Sequence, residues 1–184
     1  RTELAPATIS AITGGLIVWS AERAAEVLAV YRDLTERAPR ELTAAAIVRL
    51  APPAPFLPQV WHGKPIAGIQ VCHSGPNAEA DLAPVRALGN PIVDLVTPKP
   101  YVALQSMLNV MEPKWLHRYW KAEFLPGLSN DFLGIFREGA LRVTSPLSQS
   151  IIFHVGGALN DHEPDDGAVG NRDAHYIGGF AATW

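Results

Sequence analysis

Near the C-terminal end of the chain, His154, His162 and His175 stand close in sequence to Asp161, Glu163, Asp165 and Asp166. By residue type this is a metal inventory. By spacing it is not, because zinc takes three or four ligands at fixed geometry, commonly from a paired spacing such as HxxxH on a helix. Here the candidates fall in a turn-rich loop and on strands, and a solvated acidic loop is the favoured reading. Tyr119-Trp-Lys121 alternates, so a strand puts Tyr119 and Lys121 on one face and Trp120 on the other. A lysine beside a phenol can lower its pKa or bind a substrate anion. On residues alone, a lysine stem lying over an aromatic ring is the stronger reading. Gly156-Gly157 and Gly178-Gly179 lie in or beside strands, where glycine marks a bulge or a place of close approach. Neither pair has the spacing of a phosphate-binding loop, so a ring lying over Gly178-Gly179 and a simple bulge stay equally open. Ser145, Ser148 and Ser150 lack a nucleophile-elbow context, which argues against a hydrolase. Cys72 reads as a small buried hydrophobe.

These residues must be held by strands. Ser150 to Gly157 and Gly170 to Trp184 are both rich in β-branched and aromatic residues, and Asn160 to Gly167 between them is a loop. The pair would place Phe153, His154, Tyr176 and Phe180 in one sheet. Upstream, Thr13 to Trp19 reads as a strand, and Ser20 caps a helix whose Ala24, Val27, Leu28, Tyr31 and Leu34 recur at helical steps. Glu41 to Leu50 is a strand with Leu42, Ala44, Ala46 and Val48 on one face. Pro52, Pro53, Pro55 and Pro58 then impose an extended loop. Pro65 to His73 is a strand, Glu79 to Leu88 a helix stopped by Gly89-Asn-Pro91, and Ile92 to Val96 a strand. This order, β-α-β-β-α-β, is the ferredoxin-like arrangement. Tyr101 to Val110 is mixed in period, Trp115 to Lys121 is strand-like, and Ser129 caps a helix from Asn130 to about Glu138. The expectation is an α+β fold: an antiparallel sheet of roughly six or seven strands with three helices on one face and a ferredoxin-like core.

Composition sets the outer bounds. A chain of 184 residues that is 48% hydrophobic and 18% charged can bury a core and suits one domain, or one and a small appendage. A net charge of -3 with no basic stripe argues against nucleic acid. No apolar run approaches the roughly 18 residues of a membrane span, and no signal peptide is visible. The single Cys72 excludes an internal disulfide and suits a reducing, cytoplasmic compartment. A start at Arg1 and an end at Trp184, inside or just after a strand, lead to the expectation of a piece of a longer polypeptide.

Several runs follow one another in a familiar order: Pro100-Tyr-Val-Ala-Leu-Gln-Ser-Met107, Tyr119-Trp-Lys121, Ser145-Pro-Leu-Ser-Gln149, Phe153-His-Val-Gly-Gly157 and Asn171-Arg-Asp-Ala-His-Tyr176. Gly14-Gly15, Ala51 to Phe56 and Asp94-Leu-Val96 fit the same series. Together they resemble bacterial FAD-linked oxidoreductases of the berberine-bridge-enzyme-like branch of the vanillyl-alcohol-oxidase superfamily, over nearly the whole chain. The resemblance implies a substrate-binding lobe whose sheet roofs the isoalloxazine ring, with the FAD-binding lobe and a C-terminal segment lying outside this sequence. Hydride would pass from an alcohol- or amine-type small-molecule substrate to FAD in the intact enzyme. This chain alone would neither bind FAD tightly nor turn over.

Residue by residue, the resemblance matches the family's roof strand to Tyr176–Trp184 and its ring-facing position to Gly179. A polar residue is usual there, and glycine can neither orient substrate nor take a proton. The histidine that usually precedes Arg172 is Asn171. Tyr119, Lys121, Gln149 and His154 remain candidates for lining the substrate pocket. With its partner lobe absent, the exposed sheet face is expected to drive homo-oligomers or aggregation. The rival expectations are a freestanding ferredoxin-like binding or dimerisation module without redox activity, and a metal-dependent enzyme using the Asp161 to His175 region.

Overall fold

Strands form where β-branched and aromatic residues cluster, and helices where apolar residues recur at three- and four-residue steps. The computed structural model describes residues 11–107, 109, 115–163, 166–167 and 170–184. Among these, one antiparallel sheet contains β1 (Ile12–Ser20), β2 (Leu42–Leu50), β3 (Pro65–His73), β4 (Val93–Asp94), β5 (Thr97–Lys99), β6 (Arg118–Leu125), β7 (Gln149–His154) and β8 (Tyr176–Thr183). The helices are α1 (Ala24–Thr35), α2 (Ala78–Ala87), α3 (Tyr101–Ser106) and α4 (Asn130–Leu141). Strand order is β4-β1-β3-β2-β7-β8-β6, with β5 also on β1. The first four places are the β-α-β-β-α-β unit read from the sequence, and β7, β8 and β6 extend it beyond β2.

The strand expected over Ile92 to Val96 is divided. The Asp94 carboxylate accepts from Val96 N at 2.9 Å and turns the chain out of the ladder. The Leu95 carbonyl then comes down onto Gly15, where φ is +151° and a Cβ would lie 2.2 Å from that oxygen. The chain rejoins β1 as β5, so two short strands replace one. Tyr101–Ser106, mixed in period, is the short helix α3.

Helices α1, α2 and α4 cover one face of the sheet. Ser20 Oγ accepts from Glu22 N at 3.3 Å in the 3-10 turn that leads into α1, and Ser129 Oγ accepts from Phe132 N at 3.1 Å to start α4. Trp19, Tyr31, Leu82, Phe136, Ile152 and Tyr176 meet in the resulting core. Each such burial stabilises the fold by about 1.5–3 kcal/mol. Tyr31 Oη donates to the Ile152 carbonyl at 3.0 Å, tying α1 to β7. The other face has a smaller cluster, Leu16, Val18, Ala51, Leu57 and Ile66, where the proline-rich segment folds over β1 and β3. The short α3 lies on this side too, since Leu104 would meet a Cβ at Gly14 at 3.0 Å.

Candidate functional site

Register decides which residues share the face that the long helices leave open. Across β2, β7, β8 and β6 the pairs run Ala45–Phe153–Ile177–Phe124, then Ile47–Ile151–Gly179–Ala122, then Arg49–Gln149–Ala181–Trp120. Directly opposite residues point the same way, so these three rows lie on one surface. The surface is apolar and free of charge in its first two rows, and about 14 Å wide at the usual strand spacing. Phe153 and Phe124 are 37% and 43% exposed, which leaves the first row open to solvent. The third row is closed at its β2 end by the proline-rich segment. A cavity of about 60 Å³ remains there, lined by Val18, Ile47, Arg49, Phe56, Ile66 and Ile151. It holds a few waters or a small substituent and is too small for a whole substrate.

Arg49 brings a cation to this apolar corner while only 5% exposed. Its Nη1 donates to Gln149 Oε1 at 3.0 Å, Nη2 to the Pro146 carbonyl at 3.0 Å and Nε to the Leu50 carbonyl at 3.3 Å. The guanidinium fork thus fixes the Gln149 side chain and the loop before β7. Sequence reasoning did not single out Arg49. Its signal was present: Thr43, Ala45, Ile47 and Arg49 alternate with the buried set Ala44, Ala46 and Val48, placing an arginine at the end of the second face.

The five sequence candidates do not form one cluster. Gln149 and Gly179 lie on the open face. Tyr119 and Lys121 pair with Ala182 and Phe180, and Phe180 packs on Phe136 of α4, so this pair faces the helical side at the sheet's edge. Tyr119 is 61% exposed there. His154 shares the helical face with Ile152. Its ring is tilted against Tyr176 at 5.8 Å, beside a polar cleft lined by Glu36, Arg40, Asn160, Asp161 and His175. Burial, and then the nearby His175, hold the His154 imidazole below its ordinary pKa. Tyr176 is buried against α1, its hydroxyl 2.9 Å from Thr35 Oγ1, and burial raises its pKa.

Both ladders of β8 are continuous through Gly178-Gly179, so the pair makes no bulge. A Cβ at Gly178 would meet Leu125 Cδ1 at 2.9 Å and the Phe132 ring at 3.0 Å; at Gly179 it would meet Lys121 O at 2.6 Å and Ala122 Cβ at 2.7 Å. Close packing against the backbone of β6 accounts for Gly179, while at Gly178 the near atoms are the side-chain ends of Leu125 and Phe132. In the acidic loop, Asp161 pairs with Arg40 at 2.5 Å and His162 lies 3.4 Å from Asp166, while Asp165 falls outside the described residues. Among the described residues, no three His, Cys, Asp or Glu side chains converge as a metal site. Nor is any helix among them long and apolar enough to cross a membrane.

No protein-family model matches the chain, and no curated protein matches it in sequence. Solved structures do match in fold. A BBE-like protein (number 28) from Arabidopsis thaliana superposes with a TM-score of 0.69 at 14% identity, over 95% of this chain and 37% of that one. BBE-like 1 of Physcomitrella patens gives 0.70 at 15% identity, over 95% of this chain and 39% of its own. GilR, described as an oxidoreductase catalysing the terminal step of gilvocarcin biosynthesis and solved with pregilvocarcin, gives 0.69 at 15%, over 95% and 38%. The chain therefore has the fold of one portion of these proteins, spanning little more than a third of their length.

Proposed function

We propose that this chain is the substrate-binding lobe of a flavin-dependent oxidoreductase of the berberine-bridge-enzyme-like kind, its open sheet face roofing the isoalloxazine ring. The observation that carries this reading is the charge-free surface of the first two rows, opposite the helices, in a chain that matches such oxidoreductases over 95% of itself and about 37% of them. The face of a flat aromatic ring fits against side chains such as Phe153, Ile177 and Ala122. A freestanding module would be expected to carry a polar, solvated surface there.

FAD, held by the other lobe, supplies the hydride acceptance when bound. What this chain contributes is position and the exclusion of water. Gln149 is the residue suited to orient a substrate. With Oε1 engaged by Arg49, its amide N–H groups are free to donate to a substrate oxygen beside the small cavity. Gly179 has no side chain to act as a base, and β6 leaves no room for one. Among the described residues, the three rows of the open face hold no carboxylate or histidine, and this reading assigns the proton released from an alcohol or amine substrate to a group of the other lobe. Tyr119, Lys121 and His154, which face the helical side, have no part in this reading.

The reading frame around codons 1 and 184 provides the test. Coding sequence for an FAD-binding lobe is expected to flank the chain. Start and stop codons abutting it, with no flavin domain encoded beside it, would overturn the proposal.

A further inference from the structure

We propose that β6 is a self-complementary edge through which two copies of this chain pair antiparallel, centred on Ala122. The inference concerns the rim of the sheet and does not depend on what its open face binds. β6 ends the strand order, and among the described residues its only strand partner is β8. Arg118 through Phe124 are exposed, and only the last residue, Leu125, is half-buried. Edge strands are commonly blunted by charged side chains, prolines, bulges or brevity, and of these β6 carries only charges, at Arg118, Lys121 and Glu123. β6 has eight residues, no proline and an uninterrupted register with β8.

The phase of the ladder fixes which groups are free to pair. His117 and Trp184 exchange both backbone bonds, at 2.9 and 3.1 Å. In an antiparallel pair such residues alternate, so Tyr119, Lys121 and Glu123 bond β8, whereas Trp120, Ala122 and Phe124 aim N–H and C=O outward. A two-fold axis through Ala122, normal to the sheet, sets Ala122 against its own copy. It sets Trp120 against Phe124 and Lys121 against Glu123, each pair occurring twice. The outward-bonding residues then meet one another, which is what ladder formation needs.

Charge selects this register over its neighbours. A two-residue slip one way puts Lys121 opposite its own copy, and a slip the other way puts Glu123 opposite its own copy. Like charges directly opposed are destabilising, while opposite charges and aromatic pairs stabilise. The Trp120–Phe124 pairs would continue the open apolar face across the axis, and the Lys121–Glu123 pairs would lie on the helical side. The contact is isologous and closes at two copies.

Sedimentation of the full chain over a concentration series tests this. Wild type is expected to dimerise reversibly. Glu123→Lys and Lys121→Glu, each opposing like charges twice, should raise the dissociation constant at least ~10-fold while far-UV circular dichroism stays unchanged. The combined exchange, Lys121→Glu with Glu123→Lys, restores two opposite pairs and should recover wild-type affinity. The proposal is overturned by a wild-type chain that stays monomeric at ~0.1 mM, by a dimer indifferent to either single change, or by a double variant no tighter than the singles.

Discussion

Replacing Gly179 by alanine asks whether β8 needs glycine there for its own packing or for the approach of a ligand. The added Cβ would sit 2.6 Å from the Lys121 carbonyl oxygen, 2.7 Å from Ala122 Cβ and 3.0 Å from Ala122 Cα. Two of these three are backbone atoms, so no rotamer change relieves them. Ordinary contact begins at 3.4 Å, and 3.4 minus 2.6 requires β6 to retreat by roughly 0.8 Å. A retreat of that size breaks the ladder bonds on either side of Lys121, at about 1 kcal/mol each, on top of overpacking costs of about 1–3 kcal/mol. The total is about 3–5 kcal/mol. Gly178→Ala provides the internal control. There the added atom meets the far ends of Leu125 and Phe132 side chains, which can turn away, and the stiffer unfolded chain returns about 0.4–1 kcal/mol. Urea unfolding is the assay: Gly179→Ala is expected to lower the midpoint by about 1 M or more and Gly178→Ala by much less. Equal effects, or a Gly179→Ala variant within about 0.5 kcal/mol of wild type, would falsify the packing account. The glycine would then have to be explained by what lies over it.

Three further outcomes follow from the same contacts. Arg49→Lys replaces a fork that bridges Gln149 Oε1 and the Pro146 carbonyl with a point charge that cannot reach both, and should cost about 1–3 kcal/mol by urea unfolding. Tyr31→Phe leaves the buried Ile152 carbonyl without its 3.0 Å donor and should cost about 1–2 kcal/mol; Tyr176→Phe should cost less, because Thr35 Oγ1 still donates to the Tyr31 carbonyl at 2.9 Å. His154 binds its proton less readily folded than unfolded, so its linkage makes stability fall as pH drops below the ordinary 6.5 and level off beneath the depressed folded value. His154→Asn should flatten the fall of the urea midpoint as pH drops below 6.5, and an unchanged slope would show that the ring does not carry the effect.

What the sequence made legible is what local periodicity encodes. The stripe of Val27, Leu28, Tyr31 and Leu34 forms α1, Ser129 caps α4, and the β-α-β-β-α-β order delivers the β4-β1-β3-β2 core. Alternation also placed Tyr119 and Lys121 opposite Trp120 correctly. It could not say which of the two sides the helices cover, because that depends on the long-range register Lys121↔Phe180 and on Phe180 meeting Phe136. One local clue existed. In β8 the large rings, Tyr176 and Phe180, occupy one parity, while Ile177, Gly179 and Ala181 occupy the other. Helices pack over bulk, whereas a strand stripped to small residues leaves a level surface. Gly179 therefore belongs to the open wall by the same parity that commits Tyr176 to the core. The divided β4–β5 run was beyond reach for a different reason: the turn at Asp94 is decided by how closely the Leu95 carbonyl can approach Gly15, a contact between residues eighty positions apart that no local window contains.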